Sequence, residues 1–194
     1  MAGRVVAVTI AGVFVGGMAS RMGGSPKGLL VAPGGRTILD RWRALLASAG
    51  VDIVVLVGRH PAYAAYTPAL EIVDDEPRGI GPLGGLVALL KRAGECRALA
   101  LACDMPFVTQ SLLTRLIAAP AARIVAPRLD GRWEPFCARY EAHGVLPHAL
   151  RRVAARQHSL QGLLDEAGAA ALPLEPGDVA DLRDWDAPDD LRGQ

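Results

Sequence analysis

Residues 5–28 read VVAVTIAGVFVGGMASRMGGSPKG, an apolar run rich in valine that leads directly into a loop of glycines and cations. A continuous run of apolar, β-branched residues is typical of a strand buried on both faces of a sheet. Glycines in the loop that follows allow backbone N–H groups to approach an anion closely. This stretch therefore predicts a buried first strand with a possible anion site at its carboxyl end.

Strand-like and helix-like segments alternate along the rest of the chain. Helices are predicted over residues 37–50, 81–94 and 109–119, and two more follow residue 143. This alternation predicts a three-layer α/β fold, a mostly parallel sheet with helices on both faces. No linker rich in proline, glycine or serine interrupts the pattern, so we expect residues 1–194 to form a single domain.

Composition narrows the class of protein. About half of the residues are apolar (51%) and the net charge is +1, which argues against a broad surface for nucleic acid or membrane. The three cysteines, Cys96, Cys103 and Cys137, match no common zinc spacing. We therefore expect a cytoplasmic protein with reduced cysteines.

The first 20 residues have a second interpretation. An early arginine, the apolar run and the small residues after it also outline a secretory signal peptide. The run is too short to span a bilayer, and the cations and extra glycines that follow are not needed at a cleavage site. A buried strand is the interpretation that we favour.

The loop after the first strand has the composition of a phosphate-binding loop. It matches neither the Walker A pattern nor G-x-G-x-x-G. Its glycines, including Gly16 and Gly17, would bring N–H groups to an anion, and Arg21 and Lys27 would each add a charge-assisted bond. The alternative is a flexible connection between a strand and a helix.

Carboxylates follow two later strands and recur near the end of the sequence. Either Asp74 or Asp75 ends the third strand, where it could accept from a ribose hydroxyl or a base. Asp104 lies at the tip of the fourth strand, a position suited to hold Mg²⁺. Asp184 and Asp186 lie on one face of a short extended segment, and either one could be a second Mg²⁺ ligand.

Several of these segments together resemble one enzyme family. The loop VGGMASRMGGSPKGLL, followed in order by DDEPRGIGPLGGL and ACDMPF, is similar to the molybdenum cofactor guanylyltransferases of the MobA type. The resemblance implies the nucleotide-diphospho-sugar transferase fold and transfer of GMP from GTP to molybdopterin, with Mg²⁺ as cofactor. It also implies contacts with molybdoenzymes or with other proteins of cofactor biosynthesis.

The resemblance also assigns residue roles. Phe14, Val15 and Gly16 would line the guanine and ribose through backbone groups, and Lys27 would bind the phosphates. Asp75 is preferred to Asp74 as the nucleotide contact because its spacing from GPLGG fits the family better.

Two further roles complete the catalytic set that the resemblance implies. Asp104 would bind both GTP and Mg²⁺, and Asp186 would be the second metal ligand. Arg21 would join Lys27 in holding the triphosphate while pyrophosphate leaves.

Several positions depart from the guanylyltransferase pattern, including Phe14 and Val15 in place of leucine and alanine, and Leu56 where many members have asparagine. Pro26 stands where the family has an aspartate, and Asp184 and Asp186 replace asparagines, all features closer to cytidylyltransferases. The pair Gly16–Gly17 favours guanine instead. GTP is the predicted nucleotide substrate, and CTP is the alternative. The acceptor could instead be a sugar phosphate, or the protein could be a nucleotide-binding paralogue without activity.

Overall fold

The computed structural model describes residues 8–15, 26–32, 34–51, 53–66 and 68–185. Its elements follow the predicted alternation of strands and helices. Two 3₁₀ helices, Lys27–Leu29 and Pro61–Tyr66, lie in connections. The other elements are, in chain order, β1 (Thr9–Phe14), α1 (Ile38–Ser48), β2 (Ile53–Val57), β3 (Glu71–Val73), α2 (Pro82–Ala93), β4 (Arg97–Ala102), α3 (Gln110–Ala118), β5 (Ile124–Ala126), β6 (Arg128–Leu129), β7 (Arg132–Trp133), β8 (Cys137–Glu141), α4 (Ala142–Ala154), α5 (Leu160–Ala167), β9 (Ala170–Ala171) and α6 (Asp178–Asp181).

Seven strands form the main sheet, in the order β3-β2-β1-β4-β8-β5-β9. Strand β1 is central and pairs in parallel with β2 and with β4. Strand β8 is antiparallel to both of its neighbours, β4 and β5. The predicted mostly parallel sheet is confirmed, and residues 9–14 of the N-terminal apolar run form its strand β1.

Helices cover both faces of this sheet. One buried cluster joins α1 and α3 to side chains such as Val13 and Leu101, and the other joins α2, α4 and α5 to side chains such as Ile10 and Ala100. Alternate strand residues point to opposite faces, so β1, β2, β4, β5 and β8 each contribute to both clusters. The predicted three-layer architecture is confirmed.

Local signals set the helix boundaries. Thr37, Thr109 and Ser159 each accept a hydrogen bond from a backbone N–H of the first turn, at the starts of α1, α3 and α5. Such caps satisfy donors that have no partner within the helix. The predicted start of the third helix at residue 109 is confirmed.

Two features differ from the sequence prediction. The hairpin of β6 and β7, which turns at Asp130 and Gly131 with positive φ at both, was not predicted. The Asp-Gly pair is a turn signal, but two-residue strands are too short to produce visible alternation. The short helix α6 was not predicted either.

All three cysteines lie in described residues and are free thiols. Cys103 and Cys137 are buried, and burial raises the pKa of each thiol to about 12. Both are therefore protonated at neutral pH, as expected for small buried side chains and not for nucleophiles. Within the described ranges, no helix is long and apolar enough to cross a membrane.

Candidate active site

The predicted site residues meet at one edge of the sheet. Phe14 ends β1, Asp75 lies two residues beyond β3, and Asp104 lies two residues beyond β4. Because these strands are parallel, their carboxyl ends lie at the same edge, where ligands bind in folds of this kind. The topology thus gathers side chains that are far apart in sequence.

Lys27 and Asp104 form an ion pair at this edge. Lys27 Nζ lies 3.0 Å from Asp104 Oδ2, although the two residues are 77 positions apart. The side chains are 20% and 24% exposed, so both remain reachable from solvent. The loop predicted to bind phosphate and the strand end predicted to bind metal therefore meet at a lysine–carboxylate pair.

Two side chains of α1 hold the turn that carries Asp104. Trp42 Nε1 donates to the carbonyl of Ala102 at 2.9 Å. The guanidinium of Arg41 donates to the carbonyls of Pro106 and Val108, both at 2.6 Å. Burial is the main cause that lowers the pKa of Arg41. The backbone on either side of Asp104 is thus fixed to a helix.

The segment near the end of the chain contacts the same turn. The N–H of Trp185 donates to the carbonyl of Asp104 at 2.8 Å, and the Trp185 ring is buried edge-on against Phe107. Asp184 is exposed, as the predicted alternation with Trp185 requires. Asp186, the predicted second metal ligand, lies outside the described residues.

The two neighbouring aspartates after β3 have different surroundings. Asp74 accepts two bonds from Arg59, at 3.0 and 3.1 Å, and one from Arg78 at 2.9 Å. These arginines lower the pKa of Asp74, with the Arg59 hydrogen bond as the largest cause. Asp74 is therefore engaged in exposed ion pairs, which leaves Asp75 as the better candidate for a ligand.

Asp75 faces the inside of the crevice. A Cβ built at Gly85 would lie 2.9 Å from the Phe14 ring, 3.0 Å from Val57 and 3.1 Å from Asp75 Oδ1. Glycine at position 85 thus lets α2 approach the end of β1 closely, and the Asp75 carboxylate lies at the same close contact. Burial first, and the Asp74 charge second, raise the pKa of Asp75.

The reversed direction of β8 brings a second aromatic ring to this edge. Phe136, just before β8, lies 4.5 Å from Phe14 between ring centroids, and its carbonyl accepts from Ala102 N at 2.8 Å. Glu134 lies nearby, and its pKa is raised by burial first and by Asp184 second. Residues 134–136 therefore border the crevice.

The family resemblance also implies that residues 134–140 form a wall of the pterin pocket, and this prediction is wrong for the buried second half of the segment. Arg139 is fully buried under α3, where it donates to four carbonyls that include those of Ala119 and Pro120. Tyr140 is fully buried and donates to the carbonyl of Pro135. Successive residues of a strand face opposite sides of the sheet. Arg139 is therefore buried on the face covered by α3, and Tyr140 is buried on the opposite face.

Some backbone groups of Phe14 and Val15 already form hydrogen bonds with neighbouring segments. The N–H of Val15 donates to Val57 O at 2.9 Å, and the carbonyl of Phe14 accepts from Cys103 N at 3.3 Å. The predicted backbone contacts of a nucleotide at Val15 are thus limited to its carbonyl. The predicted contacts at Gly16, Gly17 and Arg21 lie outside the described residues.

Sequence reasoning missed two residues that support the site. Arg41 and Trp42 lie in a helix that was read only for its apolar pattern. Their roles depend on contacts across long sequence separations. A pattern search within single elements gives no signal for such contacts.

Comparison with known proteins gives a consistent picture. Residues 11–170 match the MobA-like NTP transferase domain. The chain is 36% identical over 160 residues to a molybdenum cofactor guanylyltransferase of Xanthomonas euvesicatoria, covering 77% of this chain and 78% of that one. It is 34% identical over 173 residues to the molybdenum cofactor guanylyltransferase of Pseudomonas aeruginosa, covering 86% and 84%.

Solved structures share the fold. Molybdopterin-guanine dinucleotide biosynthesis protein A from Archaeoglobus fulgidus superimposes with a TM-score of 0.73 at 23% identity, over 94% of each chain. The 2-C-methyl-D-erythritol 4-phosphate cytidylyltransferase of Thermus thermophilus gives 0.67 at 17% identity, over 94% of this chain and 95% of that one. The nucleotide-diphospho-sugar transferase fold that the sequence predicted is confirmed. By the match of its domain and the identity to its relatives, this chain belongs to the MobA-like NTP transferase family.

Proposed function

We propose that this protein transfers the guanylyl group of GTP to the phosphate of molybdopterin and releases pyrophosphate. The observation that carries the proposal is the Lys27–Asp104 pair, at 3.0 Å on the carboxyl edge of a nucleotidyltransferase sheet. The names of the relatives at 34–36% identity support guanylyl transfer as the reaction. Asp75 beside Phe14 provides a carboxylate for the nucleoside end of the substrate.

The chemistry requires little from the protein beyond placement and charge. A phosphate oxygen of molybdopterin attacks the α-phosphorus of GTP, the bond from that phosphorus to the bridging oxygen breaks, and pyrophosphate leaves. The nucleophile is already an anion, so no proton has to be removed from it. Lys27 binds the negative oxygens of the triphosphate, and the fixed turn around Asp104 keeps the reacting groups aligned.

The residues present fit a magnesium ion that is bound together with its substrate. Asp104 offers a solvent-reachable carboxylate, whereas among the described residues no group of three or more His, Cys, Asp or Glu could hold a metal alone. Proteins usually bind Mg²⁺ through one or two carboxylates, and phosphate oxygens of the substrate and water molecules supply the remaining ligands. When bound, Mg²⁺ would neutralise charge on the phosphates, with Asp104 as ligand and Asp184 or Asp186 as the second candidate.

The proposal can be tested by nucleotide binding and by turnover. Thermal unfolding is followed with GTP, CTP, ATP and UTP, each with and without Mg²⁺, and pyrophosphate release is then measured with molybdopterin. A ligand at about 100 times its dissociation constant stabilises by about 2.7 kcal/mol, which is readily detected. We expect a Mg²⁺-dependent shift with GTP and pyrophosphate release only when the pterin is added.

Other outcomes would contradict parts of the proposal. A shift with CTP alone would make the protein a cytidylyltransferase, and turnover with a sugar phosphate would change the acceptor. GTP binding without pyrophosphate release would indicate a paralogue that has lost activity.

Delivery of the product to molybdoenzymes, or to other proteins of cofactor biosynthesis, is part of the proposal, and so is a cytoplasmic location.

Replacing Asp75 with asparagine should weaken nucleotide binding and raise thermal stability at neutral pH. Binding weakens because an amide is a poorer acceptor than a carboxylate. Stability rises because the variant no longer buries a charge whose pKa is raised by burial. Calorimetric titration with GTP measures the first effect and thermal unfolding measures the second.

The pH dependence of that stability gain has a defined sign. The folded state binds the Asp75 proton more tightly than the unfolded state does, so the stability cost of the carboxylate grows as the pH rises from the unfolded pKa to the folded pKa and is complete above the folded pKa. The gain of Asp75→Asn should therefore be full above the folded pKa, shrink as the pH falls through it, and vanish below the unfolded pKa. Asp74→Asn is the matched control, since its arginine-paired carboxylate should be dispensable for GTP affinity. Equal affinity losses in both variants would contradict the assignment.

A further inference from the structure

Tyr63 places a hydroxyl group inside the core, directly beneath the candidate active site. It belongs to the 3₁₀ helix Pro61–Tyr66 between β2 and β3, and the residue is 1% exposed. The N–H of Gly28 donates to its oxygen at 3.1 Å, and Tyr63 packs in the same buried cluster as Cys103. One phenol thus lies where two chain segments meet.

Those two segments carry the ion pair of the site. Gly28 directly follows Lys27, and Cys103 directly precedes Asp104. Tyr63 therefore binds the residue next to Lys27 and packs near the residue next to Asp104. The phenol comes from a third segment, 35 residues from Gly28 in sequence.

Packing around the hydroxyl is tight. A Cβ built at Gly28 would lie 2.8 Å from the Tyr63 oxygen and 3.3 Å from Cys103 Cβ. Any side chain at position 28 would force the hydroxyl or the backbone to shift, since Cβ contacts below 3.0 Å are essentially never seen. The spacing of the two segments is therefore set by a hydrogen bond and by steric contact together.

The link is electrically neutral. Burial is the largest cause that raises the pKa of Tyr63, and burial raises that of Cys103 to about 12. Both groups stay protonated at neutral pH, so the hydrogen-bond pattern is constant. Tyr63 can thus hold geometry without adding charge to a site that must bind a polyanion.

We propose that Tyr63 is a positioning residue whose hydroxyl sets the relative placement of Lys27 and Asp104. Its kinetic consequence rests on the proposed nucleotidyl transfer, because misplacing the two groups lowers turnover only if both act on the substrate. The hydroxyl touches neither nucleotide nor metal. It fixes the backbone from which both site groups project.

The test is Tyr63→Phe, which removes only the hydroxyl oxygen. Tyr66→Phe is the matched control, because Tyr66 ends the same 3₁₀ helix and donates instead to Asp40 on α1 at 3.2 Å. We expect kcat for guanylyl transfer to fall about 10-fold in Tyr63→Phe, as when a supporting hydrogen bond behind a ligand is lost. We expect Tyr66→Phe to stay within about twofold of wild type. The effect on kcat should exceed that on the KM for GTP.

A second readout does not depend on activity. The sequence contains two lysines, Lys27 and Lys91, so protein labelled with [ε-¹³C]lysine gives two ε-methylene signals in a ¹H–¹³C spectrum. In the ligand-free protein, Tyr63→Phe should move the Lys27 signal and leave the Lys91 signal in place. Lys91, on α2, pairs with Glu76 and serves as the internal control.

A rescue experiment separates positioning from general loss of stability. Gly28→Ala should lower kcat, because its methyl group meets the Tyr63 oxygen at 2.8 Å. In the Tyr63→Phe background that oxygen is gone, and the next contacts, at Tyr63 Cε1 and Cys103 Cβ, are 3.3 Å away. The loss from Gly28→Ala should therefore be smaller in the double variant than in wild type, measured well below the unfolding temperature.

The outcomes for the two proposals can be told apart. If the wild type transfers GMP, unchanged kcat in Tyr63→Phe, or equal losses in Tyr63→Phe and Tyr66→Phe, overturns the role of Tyr63. If the wild type transfers no nucleotide, the proposed function fails and the lysine spectrum decides. An unmoved Lys27 signal then overturns the inference, and a moved one supports it.

Discussion

Replacing Asp104 with alanine should lower the rate of guanylyl transfer by at least ~10²-fold, as when one preorganised electrostatic group is lost. The carboxylate lies at the end of β4, paired with Lys27 and fixed by backbone contacts from α1 and from Trp185. Its removal takes away the proposed Mg²⁺ ligand and leaves the rest of the turn in place. Pyrophosphate release at saturating GTP and Mg²⁺ measures the effect.

Unfolding should not explain that loss. The partners of this ion pair are 20% and 24% exposed, so breaking it should cost more stability than losing an exposed pair, but Lys27 keeps access to solvent. Asp104→Ala should therefore remain folded and still bind GTP, but the extra thermal stabilisation by Mg²⁺ should disappear. Asp74→Asn removes a carboxylate at the same sheet edge and should keep near-normal turnover. Near-normal turnover of Asp104→Ala with Mg²⁺ would rule out the metal role.

Replacing Lys27 with alanine should weaken GTP binding by ~1.5–3 kcal/mol, the usual range for a hydrogen bond to a charged group. This corresponds to an increase of about 10- to 150-fold in the dissociation constant. The Lys27 ammonium group lies 3.0 Å from Asp104 Oδ2. The proposed metal ligand and the proposed phosphate-binding lysine therefore lie at the same edge of the sheet. Calorimetric titration with Mg²⁺ and GTP measures the change.

The second lysine of the chain supplies the control. Lys91→Ala removes the same charge from the exposed surface of α2, where it pairs with Glu76. Its GTP affinity should match the wild type, because a distant exposed charge is largely screened by salt. Lys27→Arg tests geometry, since it keeps the charge but not the compact ammonium group. Wild-type affinity in Lys27→Ala would remove this residue from the site.

Selection between neighbouring acidic residues required the tertiary structure. The spacing of the sequence favoured Asp75 over Asp74 but could not exclude either one. Arg59 and Arg78 form ion pairs with Asp74, whereas Asp75 lies beside Gly85, which also adjoins the Phe14 ring. Such a difference depends on side chains that meet only after folding.

Much of the fold was determined by the sequence itself. Apolar runs, helix periodicity and caps such as Thr37 and Thr109 are local signals, and local hydrogen bonding and burial act on them directly. They were sufficient to predict a mostly parallel sheet covered on both faces. The glycine-rich loop and the aspartate at the tip of β4 likewise identified the edge at which the candidate site lies.

Only the tertiary structure decided how the parts of the site are held. The direction of β8, which brings Phe136 to Phe14, depends on pairing with strands distant in sequence. The link from Tyr63 to the segments of Lys27 and Asp104 depends on three connections packing together. Local patterns specify which residues are buried, but the partners of a buried polar group are set by long-range packing. For this protein, the sequence determined the chemistry available at the site, and the tertiary contacts determined its geometry.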